Sequence, residues 1–162
     1  LRERVWGGAA SDATARWAAS KGMHLMSSTL VFDESGEPLH VQQRRQIDSY
    51  RSAWAEAGWS RDARVSVSRS IFALVNDLDR RYFGGSADSG DSIGWLDENT
   101  RAVFGRSYAA EPDVLIKELA ADEAIAAADT LLLTVPNTLG VDYNAHVIEN
   151  VLKYVAPGLG WR

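Results

Sequence analysis

Cysteine is absent from this sequence of 162 residues. That removes disulfides and thiolate metal sites from consideration, and the absence suits a cytoplasmic protein. Long apolar runs are also missing: those present are short, such as Leu131-Leu132-Leu133, against the roughly 20 residues that cross a bilayer. No membrane partner is expected. There is no surplus of positive charge either. The formal net charge is −5, and the pairs Arg44-Arg45 and Arg80-Arg81 lie among acidic residues, so a nucleic-acid partner is not expected, because phosphate backbones call for clustered basic surface. No G-x-G-x-x-G occurs, which sets aside the dinucleotide fingerprint. The three histidines, His24, His40 and His146, lack ligand spacing, so no metal site is expected. His24 reads as a hydrogen-bonded strand residue, the other two as surface or helix-start residues. Apolar residues make up 46% and charged residues 24%, an ordinary balance for a globular domain.

What is present is alternation. Short apolar runs exchange with amphipathic stretches, the pattern of βα units on a parallel sheet. A strand at Arg4-Val5-Trp6 ends at Gly7-Gly8, and a helix over residues 12–21 follows, with Ser11 as N-cap and Gly22 beyond its end. Residues 23–27 form a second strand. A polar turn at 33–38 leads to a helix over 41–57, whose Ile47, Tyr50, Trp54 and Ala57 recur at helical spacing before Gly58. The third strand, 64–72, alternates Val65, Val67 and Ile71 with Ser66, Ser68 and Ser70. Regularity then fails over about 76–110, and so long a stretch in a compact domain reads as a functional or disordered loop. Pro112 opens a helix with Leu115, Ile116 and Leu119 facing inward. Residues 130–135 make the fourth strand. Asp142 caps the last helix, with Val147, Ile148, Val151, Leu152 and Val155 as its buried stripe, up to Pro157-Gly158. Four βα units suit either a doubly wound sheet or half of a (β/α)₈ barrel.

The turn Gly7-Gly8-Ala9-Ala10-Ser11 carries the clearest chemical signal. A helix N-terminus aims several N–H groups and a positive dipole end at one point, which is what a phosphate needs. The plain alternative is a tight turn with Ser11 as a cap only. Asp12 must then point away from any anion. Ser27, Ser28 and Thr29 put hydroxyls at the end of the second strand, for a phosphate shell or for backbone groups. Arg69, among small residues on the third strand, is expected in a structural ion pair. Of the six tryptophans, Trp17 and Trp54 read as core.

Three segments resemble the luciferase-like flavin-dependent monooxygenases. They are Val5-Trp6-Gly7-Gly8-Ala9-Ala10-Ser11 with the helix Ala15-Arg16-Trp17-Ala18-Ala19, then Tyr108-Ala109-Ala110-Glu111-Pro112-Asp113 with the strand from Ala128, and the terminal helix ending in Val155-Ala156-Pro157. Together they cover nearly the whole chain in the family's order. The resemblance implies an α/β fold, the second half (strands five to eight) of a (β/α)₈ TIM barrel as one domain over 1–162, with a long insertion over about 76–107 after the third strand. It implies an oxidoreductase that uses reduced FMN, or alternatively a deazaflavin, to oxidise a small organic substrate. Gly7, Gly8, Ala9, Ala10, Ser11, Ser27 and Ser28 would bind the cofactor, and Tyr82, Phe83 and Trp95 in the insertion would line the substrate site. Catalytic residues would lie in the absent first half and none is named. The expected partners are the missing N-terminal half-barrel or a second copy, and a separate flavin reductase; residues are expected to precede Leu1. The alternative is a non-catalytic flavodoxin-like binding module, against which the first strand's end in Trp6-Gly7-Gly8 counts, because a receiver would place acidic residues there.

Overall fold

The computed structural model describes residues 4–32, 35–86 and 89–161. The chain divides into two compact units, Leu1–Ser68 with Asp91–Gly105 and Glu123–Leu132, and Arg69–Gly90 with Arg106–Asp122 and Leu133–Arg162. The fold is α/β, and the pairings of its main sheet are parallel.

In the first unit, β1 (Trp6–Ala9) lies parallel to β2 (His24–Ser27), with Trp6 opposite His24 and Ala9 opposite Ser27. Residues Leu25 to Ser27 then pair with Val65 to Val67 of β4 (Val65–Ala73). Helix α1 (Asp12–Ser20) buries only alanines, Ala15, Ala18 and Ala19, and packs on α2 (Leu39–Glu56). Small side chains let helix and strand approach closely. A Cβ built on Gly7 would stand 3.0 Å from the Cβ of Ala18, so glycine at position 7 is explained by strand–helix contact. Helix α2 buries Ile47, Tyr50 and Trp54 on the face the sequence predicts. His24 stacks on Trp54 and accepts from the Arg64 N–H at 3.2 Å, as a strand histidine should.

Strand β3 (Leu30–Phe32) leaves the parallel sheet and joins β6 (Arg101–Phe104) and β5 (Ser92–Trp95) in an antiparallel sheet. Val31 and Val103 close with Leu39 into a small core under it. The expected irregular stretch is therefore largely regular, holding α3 (Asp77–Phe83), β5, β6 and β7 (Ser107–Ala110). Four-residue strands are too short to show alternation in sequence, and β6 takes part of its partnership from β3, distant along the chain. The short helix α5 (Glu123–Ala127) also went unread. Strand β8 (Thr130–Leu133) pairs with β4, as expected of the fourth predicted strand.

In the second unit, Ser70 to Ala73 of β4 run parallel to β7. Phe72 and Phe83 stack with centroids 3.9 Å apart, in a core completed by Leu74, Ala109 and Val147. Both faces of β4 are covered, since Ser66 is buried along with its valines, so its alternating sequence does not mark a solvent face. Helix α4 (Pro112–Ala120) starts on its proline and buries Leu115 and Leu119, with Ile116 half-buried. Helix α6 (Gly140–Asn150) continues as a π-helical turn, Val151–Val155, and a 3₁₀ turn, Ala156–Leu159. A Cβ on Gly158 would collide with Ile116 at 2.4 Å, which lets the last turn settle on α4. Three expectations are corrected. Asp142 does not cap α6, which starts two residues earlier without a side-chain cap. Ile148 and Leu152 are exposed while Val147, Val151 and Val155 are buried, because the buried stripe is a narrow one that recurs every four residues. Trp17 is 55% exposed, because the buried stripe of α1 is its alanines.

Candidate functional site

The first unit carries a cleft of about 280 Å³ over the N-terminus of α1, lined among others by Ala10, Ser11, Asp12, Gln42, Arg45 and Gln46. Local sequence builds it. Ser11 leaves the helix with extended backbone (φ −135°) and accepts from the Thr14 N–H at 3.3 Å, capping α1 as its position predicts. The N–H groups of the helix's first turn before Thr14 have no intrahelical acceptor. The carbonyls of Ala9 and Ala10 are fixed by the N–H groups of Ser28 (3.1 Å) and Phe32 (2.8 Å), which holds the floor.

Beneath the floor, Ser27 is fully buried and donates to Gln46 Oε1 at 2.7 Å, while Gln43 Nε2 donates to Ser27 Oγ at 3.1 Å and to the Ser28 carbonyl at 2.6 Å. Ser27 thus acts on the cleft through Gln46: it engages the carboxamide oxygen and leaves the amide N–H₂ as a donor. The guanidinium of Arg45 pairs with Glu37 (Nη2 to Oε1, 2.8 Å). Asp12, expected to point away from an anion, lines the cleft instead.

The cofactor-binding candidates are therefore only partly assembled. Ala10 and Ser11 line the cleft, Ala9 closes β1 beside it, and Ser27 and Ser28 stand in the hydrogen-bonded layer below. Gly7 and Gly8 lie within β1, opposite Leu25 and Met26, and not at a turn: the strand continues past them because β2 offers it partners. A Cβ on Gly8 meets only the Met26 methyl at 3.7 Å, so no close approach requires glycine there. The sequence reading missed Gln42, Arg45 and Gln46. Their spacing along one α2 face was the available signal.

Of the substrate-site candidates, Phe83 belongs to the second unit's core, stacked on Phe72. Tyr82 is 52% exposed and meets Tyr143 edge to face at 5.1 Å. Trp95, on β5 of the first unit, is 67% exposed. Arg69 lies in the second unit and forms the expected buried ion pair, bidentate to Asp122 at 2.8 and 3.0 Å, with the Tyr108 hydroxyl donating to the same carboxylate at 2.8 Å. Burial first, then the Asp122 charge and hydrogen bond, push the Tyr108 phenol above its ordinary range. His40 begins α2, as expected. His146 does not lie free on the surface: it is bonded to the buried Asp79 at 2.9 Å. No cluster of His, Cys, Asp or Glu suited to a metal occurs among the described residues. No described helix is long and apolar enough to cross a membrane.

No protein-family model and no curated protein matches the sequence. In fold, the chain is similar to the crystal structure of monooxygenase RslO1 from Streptomyces bottropensis, with a TM-score of 0.61, 16% identity, and coverage of 95% of this chain and 47% of that chain. A weaker likeness is to apo-MsnO8, with a TM-score of 0.48, 16% identity, and coverage of 79% of this chain and 43% of that one. The chain spans about half the length of these structures.

Proposed function

We propose that the chain is the C-terminal half of a luciferase-like flavin-dependent oxidoreductase, with β1, β2, β4 and β8 as strands five to eight of a (β/α)₈ barrel. The observation that carries this reading is the fold likeness to a monooxygenase over 95% of the chain. The cleft over α1 would take the phosphate of reduced FMN or of a deazaflavin. Its donors suit such a group: the first-turn N–H groups, the Ser11 hydroxyl and the Gln46 amide, with the Glu37-paired Arg45 in the lining. A bound flavin would supply the redox chemistry. This chain's part is to anchor the phosphate and fix the cofactor's position. The missing half-barrel or a second copy would complete the site, and a separate reductase would provide reduced flavin.

Titration of the chain with FMN and with riboflavin, which lacks the phosphate, tests the anchor. FMN is expected to bind tighter, Arg45→Ala to weaken FMN about tenfold and Asp12→Asn to strengthen it. Equal affinity for the two flavins would show that the cleft is not a phosphate site.

A further inference from the structure

The second unit holds a polar cluster that the flavin reading leaves unused. Asp79, on the first turn of α3, is buried. Its Oδ2 accepts from the N–H groups of Val75 and Asn76, both at 3.2 Å. Its Oδ1 accepts from the Tyr143 hydroxyl at 2.7 Å and faces His146 Nε2 at 2.9 Å. Burial opposes the charge, but hydrogen bonds from Tyr143, His146 and the Val75 N–H outweigh it and hold the carboxyl below its usual range. An ionised carboxylate only accepts, so Nε2 carries the ring hydrogen on this assignment. Nδ2 of Asn150 (2.9 Å) and Nδ2 of Asn76 (3.4 Å) stand against the same nitrogen, donors that would bond to a bare Nε2 and so compete with the Asp79 arrangement. Nδ1 makes no hydrogen bond to a described residue. The His146 side chain is 32% exposed, against 2% for Asp79.

A buried carboxylate that fixes one ring nitrogen and leaves the other open is the arrangement by which an imidazole becomes an oriented base. Next to it lie rings. Tyr143 is 5.3 Å from the imidazole, and the exposed Tyr82 meets Tyr143 edge to face. An aromatic ligand has a surface to pack on there, beside a group that accepts a proton. We infer that Asp79 and His146 form a proton-transfer site, in which Nδ1 of His146 takes the hydroxyl proton of a small phenol or aromatic alcohol. The ligand's O–H bond breaks, its proton joins Nδ1, and the electron pair stays on the ligand oxygen. The imidazolium so formed is balanced by the Asp79 carboxylate. Asp79 is a positioning residue, and His146 is the group that meets the ligand.

Carbethoxylation of the whole chain by diethyl pyrocarbonate, read residue by residue by mass spectrometry, tests this with an internal standard, the half-buried His40. His146 is expected to react faster than His40. Asp79→Asn should slow His146 about tenfold, the effect of losing one charge-assisted hydrogen bond, and leave His40 unchanged. Millimolar 4-nitrophenol should protect His146 and spare His40. Reaction no faster than at His40, or an undiminished rate in Asp79→Asn, would overturn the proposal; the second result would mean that Nε2 accepts from Asn150 and the network only ties α3 to α6. Absence of protection would overturn the ligand class. If Asp79→Asn does not fold, by circular dichroism, Asn150→Ala makes the same distinction: the rate is unchanged if Asp79 holds Nε2, and it rises, overturning the proposal, if Asn150 was donating to a bare Nε2 that the substitution frees.

Discussion

Each of the two compact units buries a polar network, and the two are built from different chemistry. In the first, Ser27, Gln43 and Gln46 are neutral and satisfy one another below a cleft. In the second, Arg69 and Asp122 are ionic, with side-chain exposures of 3% and 0%. Cutting a neutral network loses hydrogen bonds. Cutting an ionic one leaves a charge in a medium that solvates it poorly. The comparison teaches that the ionic network is the less tolerant part of the molecule, while the neutral one can adjust donors and acceptors around a ligand.

The largest expected effect breaks the ionic side. Asp122→Ala strands the Arg69 guanidinium and removes the acceptor of the Tyr108 hydroxyl, and is expected to cost about 3–5 kcal/mol in urea unfolding. A loss below about 1 kcal/mol would remove the contrast between the units. Acid sharpens the comparison next. The folded-state pKa of Asp79 is depressed, so its carboxylate contributes stability above the ordinary, unfolded carboxylate range, and that contribution is lost as pH falls through the folded pKa. Unfolding curves collected at descending pH should show wild type losing stability in acid and Asp79→Asn with a flatter profile. Identical profiles would mean that Asp79 is not ionised in the fold.

The neutral network should yield less. Ser27→Ala leaves Gln46 Oε1 without its donor and Gln43 Nε2 without one acceptor, an expected loss of about 1–2 kcal/mol. A cost matching that of Asp122→Ala would show that charge is not what separates the two networks. The smallest effect belongs to the exposed face of α1. Trp17→Ala should change stability by less than about 0.5 kcal/mol, where a core tryptophan would cost several times more. Calorimetry on this variant checks the placement directly.

Much of the local structure was legible. Ser11 caps α1, Pro112 opens α4, and Gly22 and Gly58 sit past their helices with positive φ, because capping and left-handed backbone depend on a few adjacent atoms. The buried face of α2 followed from its period. The candidate site was legible only in part. The run from Ala10 to Ser11 does meet a cleft, but Gly7 and Gly8 look alike in sequence and differ in space. One is pressed against Ala18, and the other would meet only the Met26 methyl, at an ordinary contact distance. Trp17 was misread because a large apolar residue at helical spacing says nothing of which stripe its neighbours occupy.

The sequence by itself determined where α1 and α4 begin and where α1 and α2 stop, that the strands β1, β2 and β4 alternate with helices as on a parallel sheet, and the expectation that Arg69 pairs with a carboxylate. Tertiary structure alone decided which one: Asp122, 53 residues away. It also chose β7 as a neighbour for the end of β4 and β6 as the partner of β3, and it brought His146 to Asp79 across 67 residues. The physical reason is common to all of these. Capping and periodicity are read within one turn of chain, whereas a partner for a strand edge or a buried charge is fixed only when distant segments pack and water is excluded between them.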